Sequence, residues 1–411
     1  MEDFLRSAKE ASSIVATLNS GVKNRLLQEM ADALQEHVER IINQNRLDVA
    51  YAKEQALSSA ILDRLLLDEK RIVAMANSLR EIAALKEPVG RILDGWRVDS
   101  GLEIQKVSIP IGVIGIIYES RPNVTSDTAA LCFKSGNVCV LKGGKEAQHS
   151  NAIIADILQE VLLANDLPKE IISLLPDATR EGVAQLIKMD QYVDLIIPRG
   201  GEGLIRYISE NSTVPVVKHD KGLCHVYIDK DADIDKAIPI MINAKCRRVG
   251  ICNAMETLLV DKEIATTLLP KVQEAFQKEG TELRGDSLTR ESIMIDEATQ
   301  EDFDTEYLDN ILSIKVVDGV EEAMVHIKRY GSGHSEAIVT ENYTTGEQFM
   351  NGIDAACVYI NASTQFTDGG EFGFGAEVGI STNKLHSRGP MGINDLTTYK
   401  YKIYGNGQVR A

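Results

Sequence analysis

Nowhere in the 411-residue chain is there an apolar run long enough to span a bilayer. The opening Met1-Glu2-Asp3-Phe4 also lacks the basic-then-apolar pattern of a secretory leader. Six cysteines, at 132, 139, 224, 246, 252 and 357, include no CxxC pair, and no histidine lies between Cys246 and Cys252. That spacing excludes the usual zinc sites and a disulfide framework, leaving reduced thiols and an expected cytoplasmic home. Positive charge is in deficit: a net charge of -17 argues against a general nucleic-acid or anionic-membrane binder. A small anionic substrate is not excluded, since it needs only a local basic pocket. Internal repeats, low-complexity tracts and the GxGxxG fingerprint are missing as well.

What is present is enough chain for two domains, each with its own core. From residue 2 to about 85 the apolar residues recur at three- and four-residue spacing, as in Leu26, Met30, Leu34 and then Val38, Ile41 and Ile42. This pattern predicts a helical layer, with Ser20 of Asn19-Ser20-Gly21 as a helix cap. Residues 95–107 alternate apolar and charged on either side of Asp99-Ser100-Gly101. That is a hairpin signal, open to two uses: an ordinary surface hairpin, or a ribbon that pairs with another subunit. After Pro110 come short, nearly continuous apolar runs at 112–118, 138–141, 171–175, 193–197, 214–217 and 225–228, most of them separated by helical segments. Such runs predict strands of a mostly parallel sheet in an α/β domain. A second alternation follows, with strands expected at 292–295, 311–317, 336–339 and 358–361 and the change of domain near 235–245. The tail is glycine-rich from Thr367 and ends in an alternating run at 397–404, read as an irregular loop and a strand.

Chemistry concentrates in three places. Lys245-Cys246-Arg247-Arg248-Val249-Gly250-Ile251-Cys252-Asn253-Ala254 runs into the apolar Met255-Glu256-Thr257-Leu258-Leu259-Val260. A thiol there, with Lys245, Arg247 and Arg248 nearby to favour its thiolate, suits a nucleophile, although cysteine entering an apolar strand is also a common core residue. The residues alone do not separate Cys246 from Cys252. The other two places are the turns Lys142-Gly143-Gly144-Lys145-Glu146 and Arg199-Gly200-Gly201-Glu202-Gly203, each following an expected strand and opening a helix. Glycine lets backbone N–H groups approach a phosphate at a helix N-terminus, so the pair points to a nucleotide or another phosphate ligand.

Taken together, the block at 109–125 (Ile-Pro-Ile-Gly-Val-Ile-Gly-Ile-Ile-Tyr-Glu-Ser-Arg-Pro-Asn-Val-Thr), the cysteine loop at 252–260 and the block at 329–338 (Arg-Tyr-Gly-Ser-Gly-His-Ser-Glu-Ala-Ile) resemble the aldehyde dehydrogenase superfamily, and within it the γ-glutamyl phosphate reductase branch. The resemblance covers nearly the whole chain. It implies an α/β, aldehyde dehydrogenase-like fold: two Rossmann-type α/β domains plus a small β oligomerisation hairpin. In this layout residues 1–240 form a dinucleotide-binding domain with the hairpin at about 94–109. Residues 241–385 form a catalytic domain, and 386–411 a C-terminal return and oligomerisation segment. The resemblance places Cys252 at the nucleophile and Asn123 at the oxyanion-stabilising amide, with Arg121 as the alternative occupant. Lys142 with Gly143, Gly144 and Lys145, the Gly200-Gly201-Glu202 turn and Glu306 fall at the cofactor, NADPH or NADP. Glu306 is otherwise readable as a solvated acid. For the substrate, Arg121 or Arg248 is the candidate at the phosphate, Ser120, Ser363 and Thr364 are candidates for the amino and carboxylate groups, and no metal is expected.

Cofactor preference stays open on the residues, because Lys145 suits a 2′-phosphate and Glu146 a ribose hydroxyl; the resemblance tilts it to NADPH. The Glu-Leu-Gly-Gly segment that activates water in hydrolytic members is replaced here by Lys218-His219-Asp220-Lys221-Gly222. A thioester would then persist for phosphate attack or reduction, unless His219 or Asp220 serves as the base. The expected activity is NADPH-dependent reduction of glutamyl 5-phosphate to the semialdehyde by a homodimer or higher homo-oligomer, with a glutamate 5-kinase as upstream partner. The alternatives are a hydrolytic aldehyde dehydrogenase and a dinucleotide-binding protein without turnover.

Overall fold

A computed structural model describes residues 1–218 and 221–410. The chain divides into two compact units, Met1–Lys218 with Gly373–Gly379 and Met391–Ala411, and His219–Phe372 with Ile380–Pro390. The change of unit comes at Lys218, earlier than the expected 240. Strand β7 (Cys224–Ile228), placed by sequence in the first domain, pairs in the second sheet and carries the boundary with it. Likewise the expected C-terminal segment from 386 splits, its first residues belonging to the second unit.

In the first unit the helical arm forms α1 (Glu2–Val15), α2 (Ser20–Glu36), α3 (Val38–Glu54), α4 (Ser59–Leu65) and α5 (Glu69–Ala84). The helical spacing puts Leu26, Leu27, Met30, Ala31 and Leu34 on the buried face of α2. Its cap is Asn19, not Ser20. Asn19 keeps an extended backbone and its side chain accepts from Val22 N–H, whereas Ser20 is already helical. The hairpin of β1 (Ile92–Arg97) and β2 (Glu103–Pro110) forms as expected, and β16 (Thr397–Tyr404) adds antiparallel on the free side of β2. Ile92, Trp96, Tyr401 and Ile403 stay exposed on this small sheet.

Beyond it, β3 (Val113–Tyr118), β4 (Val138–Lys142), β5 (Ile172–Leu174) and β6 (Leu195–Arg199) make a parallel sheet in the order β5-β4-β3-β6. Both faces of β3 and β4 are buried, which is why they read as unbroken apolar runs. Helices α6 (Asn123–Lys134), α7 (Gln148–Ala164), α8 (Arg180–Leu186) and α9 (Glu202–Asn211) connect and follow the strands. The run at 214–217 is not a strand of this sheet but a single bridge of Val216 to Ile196, since Pro215 has no N–H to continue a ladder.

The second unit carries a seven-stranded sheet in the order β10-β9-β11-β8-β7-β12-β13, all its pairs parallel. Its strands are β7, β8 (Met255–Asp261), β9 (Glu282–Gly285), β10 (Asp296–Glu297), β11 (Ile311–Val317), β12 (Ser335–Val339) and β13 (Cys357–Ile360). Around them lie α10 (Ile234–Cys246), α11 (Lys262–Lys278), α12 (Ser287–Ser292), α13 (Gly319–Tyr330) and α14 (Tyr343–Gly352), and β14 (Ile380–Ser381) pairs antiparallel with β15 (Gly389–Pro390). The strand expected at 292–295 is absent. Asp286 caps a helix through Thr289 N–H and hydroxyl, so Ser292 ends α12 and pairing begins only at Asp296. No helix among the described residues is long and apolar enough to cross a membrane.

Candidate active site

The two glycine turns of the first unit lie at the carboxyl ends of β4 and β6, as the rule for open parallel sheets requires. The cysteine loop does not follow that rule, for Cys252 precedes β8 and sits at its amino end. The loop's shape is set by close packing. A Cβ on Gly222 would stand 2.2 Å from the Cys252 carbonyl oxygen and 2.5 Å from its Cα, so glycine alone lets the two backbones lie together. The buried Cys224 thiol donates to the Cys252 carbonyl at 3.2 Å. Next door, Asn253 Nδ2 donates to the carbonyls of Gln365 (3.3 Å) and Thr367 (2.9 Å), and Thr364 Oγ1 donates to the Asn253 carbonyl at 2.7 Å. Gln365 Nε2 also reaches the carbonyls of Ala244 (3.0 Å) and Arg248 (3.3 Å).

Beneath the loop Lys245 and Glu256 form an ion pair at 2.6 Å with both side chains fully buried. Burial raises the Glu256 carboxyl to about 7 against the pull of Lys245, and the Glu306 charge adds to the rise. The second Glu256 oxygen accepts from Leu308 N–H at 3.3 Å, which fixes the segment carrying Glu306 beside the loop. Lys221 Nζ holds the same segment through the Asp304 carbonyl at 3.2 Å.

The structure thus gathers Cys252, Arg248, Glu306 and the 363–367 segment around one loop. Arg248 and half-buried Glu306 keep access to solvent. Ser363 is buried, and its hydroxyl accepts from Gln365 N–H to cap a short turn. The two cysteines of the loop are now distinguishable. Cys246, at the end of α10, packs against the core of its unit with its thiol 3.4 Å from Thr281 Oγ1, and burial pushes that thiol up. Burial pushes Cys224 much further up. Cys252 is half-buried outside that core. His219 and Asp220, the alternative bases, lie outside the described residues.

In the first unit Glu146 joins two of the expected segments. Its Oε1 accepts from both the N–H and the hydroxyl of Ser120, each at 2.8 Å. Lys142 is buried, which lowers its ammonium, while Glu146, Asp177 and Glu119 oppose the fall. A Cβ on Gly143 would meet Asn151 Nδ2 at 2.1 Å, so a larger residue there must displace that side chain. Lys145 is exposed. At the other turn Glu119 Oε2 accepts from Gly201 N–H at 3.0 Å and would touch a Cβ on Gly200. A Cβ on Gly201 or Gly203 would meet nothing within 4 Å. This is an open N-terminus on α9, with Glu202 as its first, exposed residue. Asn123, exposed at the start of α6, donates to Asp127 Oδ2 at 3.1 Å; Arg121, also exposed, precedes it.

Residues 1–302 match the family model described as aldehyde dehydrogenase family. Two curated relatives are γ-glutamyl phosphate reductases, one from a Nitratiruptor species, 69% identical with all of both chains covered, and one from Sulfurimonas denitrificans, 67% identical, also with all of both chains covered. The chain belongs to the aldehyde dehydrogenase family. Among solved structures, the γ-glutamyl phosphate reductase of Thermotoga maritima is 45% identical, with 100% of this chain and 99% of that one covered and a TM-score of 0.98. The family uses nicotinamide dinucleotides. The buried ammonium of Lys142 and the backbone N–H groups at the exposed start of α9, beyond the Gly201 N–H that Glu119 takes, are a donor set that fits the phosphates and ribose of such a group.

Sequence reasoning missed Gly222, the Lys245–Glu256 pair, Glu119 and Asp127. A signal existed for the pair, a lone glutamate inside the apolar 255–260 run. None marked Gly222, whose constraint comes from a backbone thirty residues further on.

Proposed function

We propose that this protein reduces L-glutamyl 5-phosphate to L-glutamate 5-semialdehyde and phosphate, through a thioester on Cys252. What carries the reading is the loop itself, in which the thiol left outside the core sits on a backbone pinned by Gly222, in a chain 69% identical to a γ-glutamyl phosphate reductase. The Cys252 thiolate attacks the acyl carbon; the C–S bond forms, the C–O bond to phosphate breaks, and phosphate leaves with the electron pair. A leaving group this good requires no strong general acid.

The Cys252 N–H and the Asn123 amide would hold the oxyanion, and loss of one such donor costs ~10²–10³ in rate. Arg121 and Arg248 would meet the phosphate, and Ser120 and Ser363 would border the substrate. Lys142, the two glycine turns and Glu306 would hold a nicotinamide dinucleotide, which would supply the hydride for the thioester carbon. The resulting thiohemiacetal collapses, breaking the C–S bond and returning the thiolate. Glu146 is already engaged by Ser120, while exposed Lys145 keeps a charge for a 2′-phosphate, which favours NADPH. A cytoplasmic enzyme, assembled through the β1-β2-β16 sheet and fed by a glutamate 5-kinase, completes this reading.

The test compares Cys252→Ala with Cys246→Ala in phosphate-dependent NADPH formation from the semialdehyde. The first is expected to abolish the reaction and the second to keep most of it; the reverse result assigns the nucleophile to Cys246. Strong NADP reduction without phosphate would replace the reductase by a hydrolytic dehydrogenase.

A further inference from the structure

A cavity of about 320 Å³ lies within the first unit, between the α4–α5 corner and the start of α6. That volume is at the lower end of those that hold small ligands. Its wall mixes charges: Asp63, Arg64 and Arg71 from the α4–α5 side, Ser78 from α5, and Asn123 and Asp127 from α6, over an apolar remainder. Arg71 and Asp63 are committed to each other at 2.7 Å, and Arg71 donates as well to the Leu66 carbonyl at 2.8 Å. Arg64 makes no ion pair among the described residues. Asp127 Oδ2 accepts from Asn123 and the Ser78 hydroxyl lies close to the same carboxylate, while Oδ1 is buried without a well-aligned partner among the described residues. A carboxylate oxygen left so is unfavourable until a donor reaches it.

We propose that this cavity recognises the amino-acid end of the glutamyl substrate, with Asp127 taking its α-ammonium and Arg64 its α-carboxylate. The inference rests on the reading above, in which the Asn123 amide faces the reacting acyl oxygen. In a glutamyl group two methylenes separate the acyl carbon from the α-carbon. Asp127 follows Asn123 by four residues, a backbone rise of about 6 Å, which is the same order of span, and the two side chains meet at 3.1 Å on that face. A substrate whose reacting carbon is held at Asn123 therefore presents its charged end along the same helix face. A cation outside any ion pair and an under-used carboxylate are complementary to a zwitterion. An aldehyde lacking the ammonium leaves the buried Asp127 oxygen unmatched, and one lacking the carboxylate forgoes an ion pair with the exposed Arg64, which is how such a site discriminates. Burial pushes the Asp127 carboxyl up to about 6, with Glu81 in the same direction and Ser78, Asn123 and Arg199 opposing, so at neutral pH it is ionised and gains from an ammonium.

The experiment uses full-length protein in the phosphate-dependent oxidation of three aldehydes: glutamate 5-semialdehyde, 5-oxopentanoate without the amino group, and 4-aminobutanal without the carboxylate. Asp127→Asn is expected to shrink the kcat/KM preference for glutamate semialdehyde over 5-oxopentanoate by ~10–10²-fold. Arg64→Gln should shrink the preference over 4-aminobutanal by a similar factor. Each ratio is taken on one preparation, so partial misfolding cancels. Equal losses on both members of a pair would make that residue structural and overturn its assignment. Wild-type protein that oxidises none of the three in the presence of phosphate would overturn the reductase reading itself, and this inference with it.

Discussion

The loop at Cys252 and the turn at Gly200–Gly203 are both built on glycine, yet glycine does opposite things in them. At Gly222 the missing Cβ is replaced by the protein's own backbone, that of Cys252, at distances no side chain tolerates. At Gly201 and Gly203 the missing Cβ leaves open space. The first region is also locked from below by a buried ion pair and from the side by Asn253, Thr364 and Gln365. The second is held by Glu119 on Gly201 N–H. Covalent chemistry needs a nucleophile placed to a fraction of an ångström, which dense packing supplies. A phosphate needs exposed N–H groups and room, which packing would remove.

The largest expected effect comes from unlocking the first region. Lys245→Met leaves Glu256 buried without its cation and should cost about 3–5 kcal/mol in urea unfolding. Lys245→Met combined with Glu256→Leu should recover most of that loss. Single and double variants of equal stability would mean that the pair does not hold the loop's floor.

Next, Gly222→Ala must displace one of two backbones, and kcat/KM for the phosphate-dependent reaction should fall by ~10². Iodoacetamide labelling of Cys252 should slow or change in parallel. Full activity in this variant would erase the distinction between the two regions.

The smallest effect sharpens the comparison within the first unit. Gly143→Ala, pressed on Asn151, should lower stability by about 1–3 kcal/mol. Gly201→Ala should change stability by less than about 0.5 kcal/mol and weaken NADPH binding several-fold, read by fluorescence titration. If Gly201→Ala destabilises while NADPH affinity holds, the turn serves packing, not a ligand.

Much of this was legible in the residue order because it depended on local periodicity. Strands buried on both faces are largely apolar, so β3 and β4 announce themselves, and β11 and β12 keep enough of that pattern around Ser313, Lys315, Ser335 and Glu336 to be read as strands. The misreadings have local causes too: Pro215 interrupts a run that looks like a strand, and a capping aspartate prolongs α12 into another. β9, four residues with an exposed glutamate, offers too little pattern to be found.

By itself, the sequence determined the α/β class, most of the succession of elements, the hairpin, the two glycine turns and the family blocks that contain Cys252 and Asn123. All of these follow from which residue types stand next to one another. Only the tertiary structure decided that β7 belongs to the second sheet, that Cys246 packs against the core of the second unit, and that Lys245 meets Glu256. It also decided that Gly222 is required by its neighbour, whereas a Cβ on Gly201 would meet nothing within 4 Å. These facts depend on which distant segments come within a few ångströms, and such proximity is created by packing and has no local pattern to announce it.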